Sequence, residues 1–321
     1  MRKSFIYGAF LCLIASVSWG AMFPVAHHSF QYIEPLYFTI LRYIPVAIIL
    51  IIMLWIKEGK QAFKTDGKGF FLWFFGTMAF TVYNLFIFWG QDAIGESGVL
   101  LASIMESLMP MISVLILWAL QGKRPNFYTV SCILIAFIGV ILVITKGDMS
   151  SLLTMRNQLV PILALLAAVI GWVVYTMGGG KFTNWSALRY STLTCLYGTI
   201  TSTIIVLIAT VIGWVEVPTI SAVYSVKWDL AFMIIFPGVI ALLGWNIGVG
   251  IIKPVNGLLF INFVPITTVI VTFIQGYALT VYDLIGMLLV VTALLLNNVF
   301  QRKKMEKERL HALRRQLQSA S

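Results

Sequence analysis

The chain has 321 residues, of which 60% are hydrophobic and only 11% charged. A soluble domain carries roughly 25% charged residues, so this chain cannot coat soluble surfaces, and apolar content this high excludes intrinsic disorder. The formal charge of +10, from 22 Lys and Arg against 12 Asp and Glu, lies in short runs between apolar stretches, where it sets orientation in a bilayer rather than marking a nucleic-acid partner. The composition is that of a polytopic membrane protein.

A helix needs roughly 20 apolar residues to cross the hydrocarbon core. In chain order such stretches cover residues 5–25, 36–56, 69–89, 99–120 and 128–145, then 159–177, 188–214, 228–252, 254–274 and 282–300. The sequence therefore predicts an all-α protein of ten transmembrane helices. Breaks such as Lys57-Glu58-Gly59-Lys60 and Gly122-Lys123-Arg124-Pro125 carry turn residues and are too short for a soluble catalytic domain. The first stretch follows Met1-Arg2-Lys3, but its apolar run exceeds a signal-peptide core and recurs later in the chain, so it is read as a span. With the N-terminus placed in the cytoplasm, eighteen Lys and Arg fall on that side and only Lys146, Arg156 and Lys227 on the other. This asymmetry predicts that both termini face the cytoplasm. The basic tail, 301–321, is expected to lie on the anionic inner leaflet. Cys12, Cys132 and Cys195 all fall in apolar stretches and form neither a disulfide framework nor a metal-ligand spacing.

The two halves echo one another. Leu13-Ile14-Ala15-Ser16-Val17 before Trp19 parallels Leu165-Leu166-Ala167-Ala168-Val169 before Trp172; Pro110 parallels Pro265; Gln121-Gly122 parallels Gln275-Gly276. Shared order and spacing point to an internal duplication, 1–148 and 158–300. Five spans per copy is an odd number, so the second copy enters the membrane from the opposite face. Such inverted repeats underlie alternating access in transporters.

Trp19-Gly20 near the end of the first span, Arg42 in the second, Pro110 in the fourth and Gly139 in the fifth resemble the EamA repeat. The EamA family belongs to the drug/metabolite transporter superfamily, and the resemblance covers nearly the whole chain. It implies ten helices in a 5+5 inverted arrangement, a bacterial plasma-membrane location, and movement of small metabolites such as amino acids, frequently outward.

Two charges lie inside predicted spans, Arg42 and Glu106. Ionisable groups at such depth cost roughly 2.5–3.5 kcal/mol on insertion scales and face a partner, a cavity or a substrate path. Arg42 could grip a carboxylate or phosphate through its planar fork, and Glu106 could take up and release a proton. The alternative is a structural ion pair locking span two to span four. Tyr83 and Asn84 lie close in depth to Arg42, and Asn262 precedes Pro265, where a proline frees backbone groups that can line a cavity. Trp19, Trp172 and Tyr175 are candidate aromatic walls for a small ligand, against the alternative of core packing. For Asn246 the reading is interhelical hydrogen bonding, and for Gly244 and Gly248 close helix packing. His27 and His28 are read as part of a solvated external loop and not a metal site, because adjacent histidines diverge on a helix and make a poor chelate without further ligands.

The sequence thus predicts a secondary carrier of small metabolites, with protons as a further coupling partner and no cofactor. No phosphate-cradling motif points to ATP, and no His lies in a predicted span to serve an intramembrane enzyme. A multi-pass scaffold or sensor with a docking tail stays open as the alternative.

Overall fold

The computed structural model describes residues 2–122, 124–148, 158–276, 279–297 and 299–300. The described residues are helical and contain no strand. The elements are α1 (Arg2–Phe30), α2 (Pro35–Glu58), α3 (Gly69–Ile94), α4 (Glu96–Glu106), α5 (Met109–Gln121) and α6 (Phe127–Thr145). The second half contains α7 (Leu159–Gly178), α8 (Ala187–Val211), α9 (Lys227–Ile252), α10 (Phe263–Ile274) and α11 (Val281–Asn297). Six of these are long and apolar enough to cross a membrane singly, and a seventh span arises if α4 and α5 count as one. The tail 301–321 lies outside the described residues.

Sequence explains most of the boundaries. Pro35 opens α2 at the position where its missing N–H costs nothing. Ser186 and Thr219 accept backbone N–H bonds from the third residue after them, capping α8 and the short helix Ile220–Ser225. Gly95 ends α3 at φ 77°, a left-handed conformation that suits glycine.

The stretch expected as one helix over 99–120 is instead two. Ser107 and Leu108 form a turn, Pro110 begins the next helix, and α4 and α5 meet at a bend of 50°. In the second half the stretch expected over 254–274 is also interrupted: a short Pro254–Gly257 helix leads into a 3-10 turn, Leu258–Asn262, before α10. Pro110 and Pro265 stand at matching positions after these breaks. A proline cannot donate to the preceding turn, so the backbone there must find another arrangement.

A second pair of irregularities was not expected. α3 widens into a π-helical segment at Thr77–Tyr83, and α9 does the same at Ile234–Ala241. Such segments loosen the hydrogen-bond ladder and release carbonyls for other donors. The Trp19 indole N–H donates to the carbonyl of Pro237 at 3.2 Å, inside the α9 segment.

The halves interlock through these helices. α1 runs antiparallel to α9: Gly8 meets Gly248, Trp19 meets Pro237, and His28 meets Asp229. α7 runs antiparallel to α3 in the same manner, with Pro161 beside Gly90 and Gly171 against the Met78 carbonyl. Glycine seams permit this closeness. A Cβ on Gly198 of α8 would sit 2.2 Å from the Gly76 carbonyl oxygen of α3, and one on Gly286 of α11 would sit 2.6 Å from that of Gly139 on α6. Gly248 belongs to such a seam, whereas Gly244 makes only ordinary contact.

Candidate functional site

The buried centre is built from both halves. From α2, the Arg42 guanidinium is 1% exposed. Its Nη2 donates to the Tyr43 hydroxyl at 2.6 Å and to Asn84 Oδ1 at 2.7 Å, and its Nη1 lies 3.4 Å from the Met22 sulfur. The cation also sits over the rings of Tyr43, at 4.3 Å, and Phe88, at 5.2 Å. Aromatic faces attract a guanidinium, more strongly where water is absent. Asn84 follows the widened turn of α3, and its amide donates to the carbonyl of Ala79, five residues back. The irregular turn thereby orients the amide oxygen that holds Arg42.

Glu106, at the last residue of α4, is likewise 1% exposed. Its Oε1 accepts a hydrogen bond from the Tyr83 hydroxyl, while Oε2 has no partner among the described residues. The ion pair considered from sequence is absent among the described residues: Arg42 is held by neutral oxygens and Glu106 by a phenol. The physical reason is that the Tyr43 hydroxyl and the Asn84 amide oxygen hold the Nη2 end of the guanidinium in place of a carboxylate.

Aromatic rings join these groups to the second half. Tyr83 packs against Trp172 of α7 at 5.1 Å between ring centres, and Trp172 packs against Trp19 at 5.0 Å and Tyr175 at 5.2 Å. Trp245 of α9 closes on Trp19 at 5.2 Å, with its N–H 3.4 Å from the Thr176 hydroxyl. Among the residues singled out in the sequence, Arg42 and Asn84 share one hydrogen-bonded group, Tyr83 and Glu106 a second, and Trp19, Trp172 and Tyr175 one stack with Tyr83. Asn262 stands apart from these contacts. It ends the 3-10 turn before α10, is 4% exposed, and both polar atoms of its side chain lack partners among the described residues.

Several residues of this centre escaped sequence reasoning as site members: Tyr43, Trp245 and Tyr190, which stacks on Tyr175 at 5.2 Å. Aromatics are common in apolar spans, and nothing in their spacing separates these from packing residues. The unpartnered buried atoms include Arg42 Nε, Glu106 Oε2, Ser107 Oγ, Trp172 Nε1 and both ends of Asn262. Buried polar atoms without partners are costly and uncommon. The two tryptophans differ in this respect, since Trp19 donates to Pro237 while Trp172 Nε1 has no acceptor among the described residues.

The histidines sit in the last turn of α1 and not in a loop. His28 Nδ1 lies 2.6 Å from Asp229 of α9, and Ser29 donates to the same carboxylate at 3.0 Å. At the opposite end of the bundle Arg189 of α8 meets Asp66 at 2.7 Å, and Lys68 donates to the Lys181 carbonyl at 2.9 Å. Each end thus carries polar contacts between the two halves.

Apolar helices around a two-sided polar and aromatic centre define the class: a polytopic membrane transporter. The EamA-like transporter family model matches residues 6–145 and again 159–299, so the chain belongs to that family. It is 50% identical over 305 residues to the uncharacterized transporter YrdR of Bacillus subtilis (strain 168), covering 95% of each chain. It is 25% identical over 284 residues to the uncharacterized transporter YyaM of the same organism, covering 87% of this chain and 90% of that one. A solved crystal structure aligns with a TM-score of 0.68 at 18% identity, over 94% of this chain and 99% of the other, a likeness of fold.

Proposed function

We propose that the protein is a secondary carrier, not an enzyme, that moves small organic metabolites such as amino acids across the cell membrane by alternating access. In this reading the chain crosses ten times, α4 and α5 forming one broken crossing, with inverted halves and both termini in the cytoplasm. The reading is supported by the antiparallel exchange of α1 with α9 and of α7 with α3, and by the charge asymmetry of the loops. Transport runs outward, in keeping with the family resemblance.

The observation that carries the proposal is the shared centre, where Tyr83, bonded to Glu106, packs on Trp172 and through it reaches Tyr175 of the other half, with the Arg42–Asn84 pair beside it in sequence. A ligand carboxylate would be drawn to Arg42, whose Nε is uncommitted. Trp19, Trp172 and Tyr175 would flank its apolar part, and Asn262 would supply an amide from the second half. Glu106 would exchange a proton through the Tyr83 hydroxyl as the halves rock, since breaking that bond changes what the carboxyl can hold.

The test is flux in proteoliposomes loaded with a labelled amino-acid mixture. Wild-type vesicles should release label well above protein-free vesicles, and Arg42→Ala should reduce release at least tenfold. Release by wild type no faster than by empty vesicles, or full activity in Arg42→Ala, would overturn the assignment.

A further inference from the structure

The second half contains a cavity of about 530 Å3 between the facing ends of α7, α8 and α9. Thr176, Phe182, Trp185, Tyr190, Asn246 and Lys253 are among its lining residues, and Lys253 is the single charged one among the described residues. The first half fills the matching corner. α1 ends at Phe30 and α2 opens at Pro35, just as the turn following α7 ends at Phe182 and α8 opens at Ala187. Phe30 therefore corresponds to Phe182 and Phe38 to Tyr190. Counting from the ends of α3 and α9, at Ile94 and Ile252, Phe88 corresponds to Asn246.

In the first half the three phenylalanines pack edge to face, with ring centres 5.5 to 5.8 Å apart. In the second half the Phe182–Tyr190 pair remains, at 5.0 Å, but the third ring is replaced by the Asn246 amide. Both amide hydrogens are committed, to the Tyr175 hydroxyl and to Ser191 at 2.7 Å each, leaving Oδ1 as the acceptor at the cavity floor. A packing corner has thus become an open, polar-floored space.

Lys253 marks a second departure. Gly95 occupies its position in the first half, at φ 77°. Lys253 holds φ 73° and ψ 152°, a backbone conformation that side chains resist and glycine accepts. Its ammonium makes no ion pair among the described residues, whose salt bridges join His28 to Asp229 and Arg189 to Asp66. A strained lysine replaces the expected glycine at the rim of a cavity lined by no acidic residue.

We infer that this cavity is a binding site for a small organic monoanion with an apolar body, held with its anionic head at Lys253 and its body against the packed rings of Phe182, Trp185 and Tyr190. The head must lie at the rim, because the floor presents an acceptor oxygen that repels it. The site is separate from the Arg42–Glu106 centre, although the Asn246–Tyr175 bond joins the floor of the one to the aromatic wall of the other.

The test is isothermal titration of the purified full chain with benzoate and hexanoate, using benzamide and hexanamide as neutral isosteres. Wild type should bind at least one carboxylate, and bind it at least tenfold more tightly than its amide. Lys253→Gly, which removes the backbone strain and so should fold at least as well, should lose that preference while its weak amide binding stays. Asn246→Phe, which restores the ring of the first half, should abolish binding of both, and Arg42→Ala should leave it unchanged. Lack of binding of both carboxylates to wild type, equal binding of acid and amide, or an undiminished preference in Lys253→Gly overturns the inference. Carboxylate binding that survives Arg42→Ala while flux is lost separates this site from the transport centre.

Discussion

At the scale of single residues, the charges inside the spans were the legible part. Arg42 and Glu106 stand out because a charge in hydrocarbon needs a reason. Tyr83 and Asn84 were legible as neighbours in depth of Arg42, but which charge each would hold was not: the Asn84 amide takes Arg42 and the Tyr83 phenol takes Glu106, where an ion pair had been the alternative. That assignment depends on how far each helix is rotated, which a single sequence does not encode. Two predictions follow from the neutral partners. Asn84→Leu strips Arg42 of a buried acceptor, and a buried donor left unmade costs about 1–3 kcal/mol. Thermal unfolding in detergent should therefore show a clear loss of stability relative to wild type, and an unchanged unfolding temperature would contradict the network. Glu106→Gln keeps an acceptor for Tyr83 but cannot exchange a proton. Solute exchange at equal pH should persist while accumulation driven by a pH gradient disappears; if gradient-driven accumulation continues, Glu106 is not the coupling group.

At the scale of elements, helix existence followed from apolar runs, and the breaks followed in part. Pro110 and Pro265 signal bends, and both halves of the fold do break just before them. The widened turns at Thr77–Tyr83 and Ile234–Ala241 had weaker signals: the first contains no proline and no glycine, and the single Pro237 of the second reads equally well as a kink. Glycine seams were only partly visible as well, because a small residue in a span is common and its facing backbone is not in the sequence. The seam between α3 and α8 is a tight place to intervene. A Cβ at position 198 meets a backbone oxygen, which cannot swing away as a side chain would. Gly198→Ala should therefore cost about 1–3 kcal/mol, the range for overpacking, measured by the same unfolding assay. Gly250→Ala, with nothing within 4 Å of the added atom, serves as the neutral control.

At the scale of the whole molecule, the duplication was legible from Trp19 and Trp172, Pro110 and Pro265, and the glutamine–glycine pairs. The consequences of imperfect duplication were less so. Asn246 in place of Phe88 and Lys253 in place of Gly95 gain meaning only once the corner they share is seen to be open. The basic sequence after residue 301 is not needed by a carrier: deleting residues 302–321 should leave flux in proteoliposomes within twofold of wild type, whereas a docking protein would lose its cellular phenotype.

Alternating access requires the two ends of the bundle to open in turn, and each end holds its own polar contacts, His28 with Asp229 at one and Arg189 with Asp66 at the other. Spin labels at the exposed positions Tyr32 and Trp228 report the first end while leaving His28 and Asp229 themselves in place, and labels at Lys60 and Thr183 report the second. The most direct measurement is the distance distribution of each pair in reconstituted membranes by pulsed electron resonance. Two populations are expected at each end, with conditions that lengthen one pair shortening the other. A single fixed distance at both ends, with and without a solute gradient, would contradict a rocking carrier.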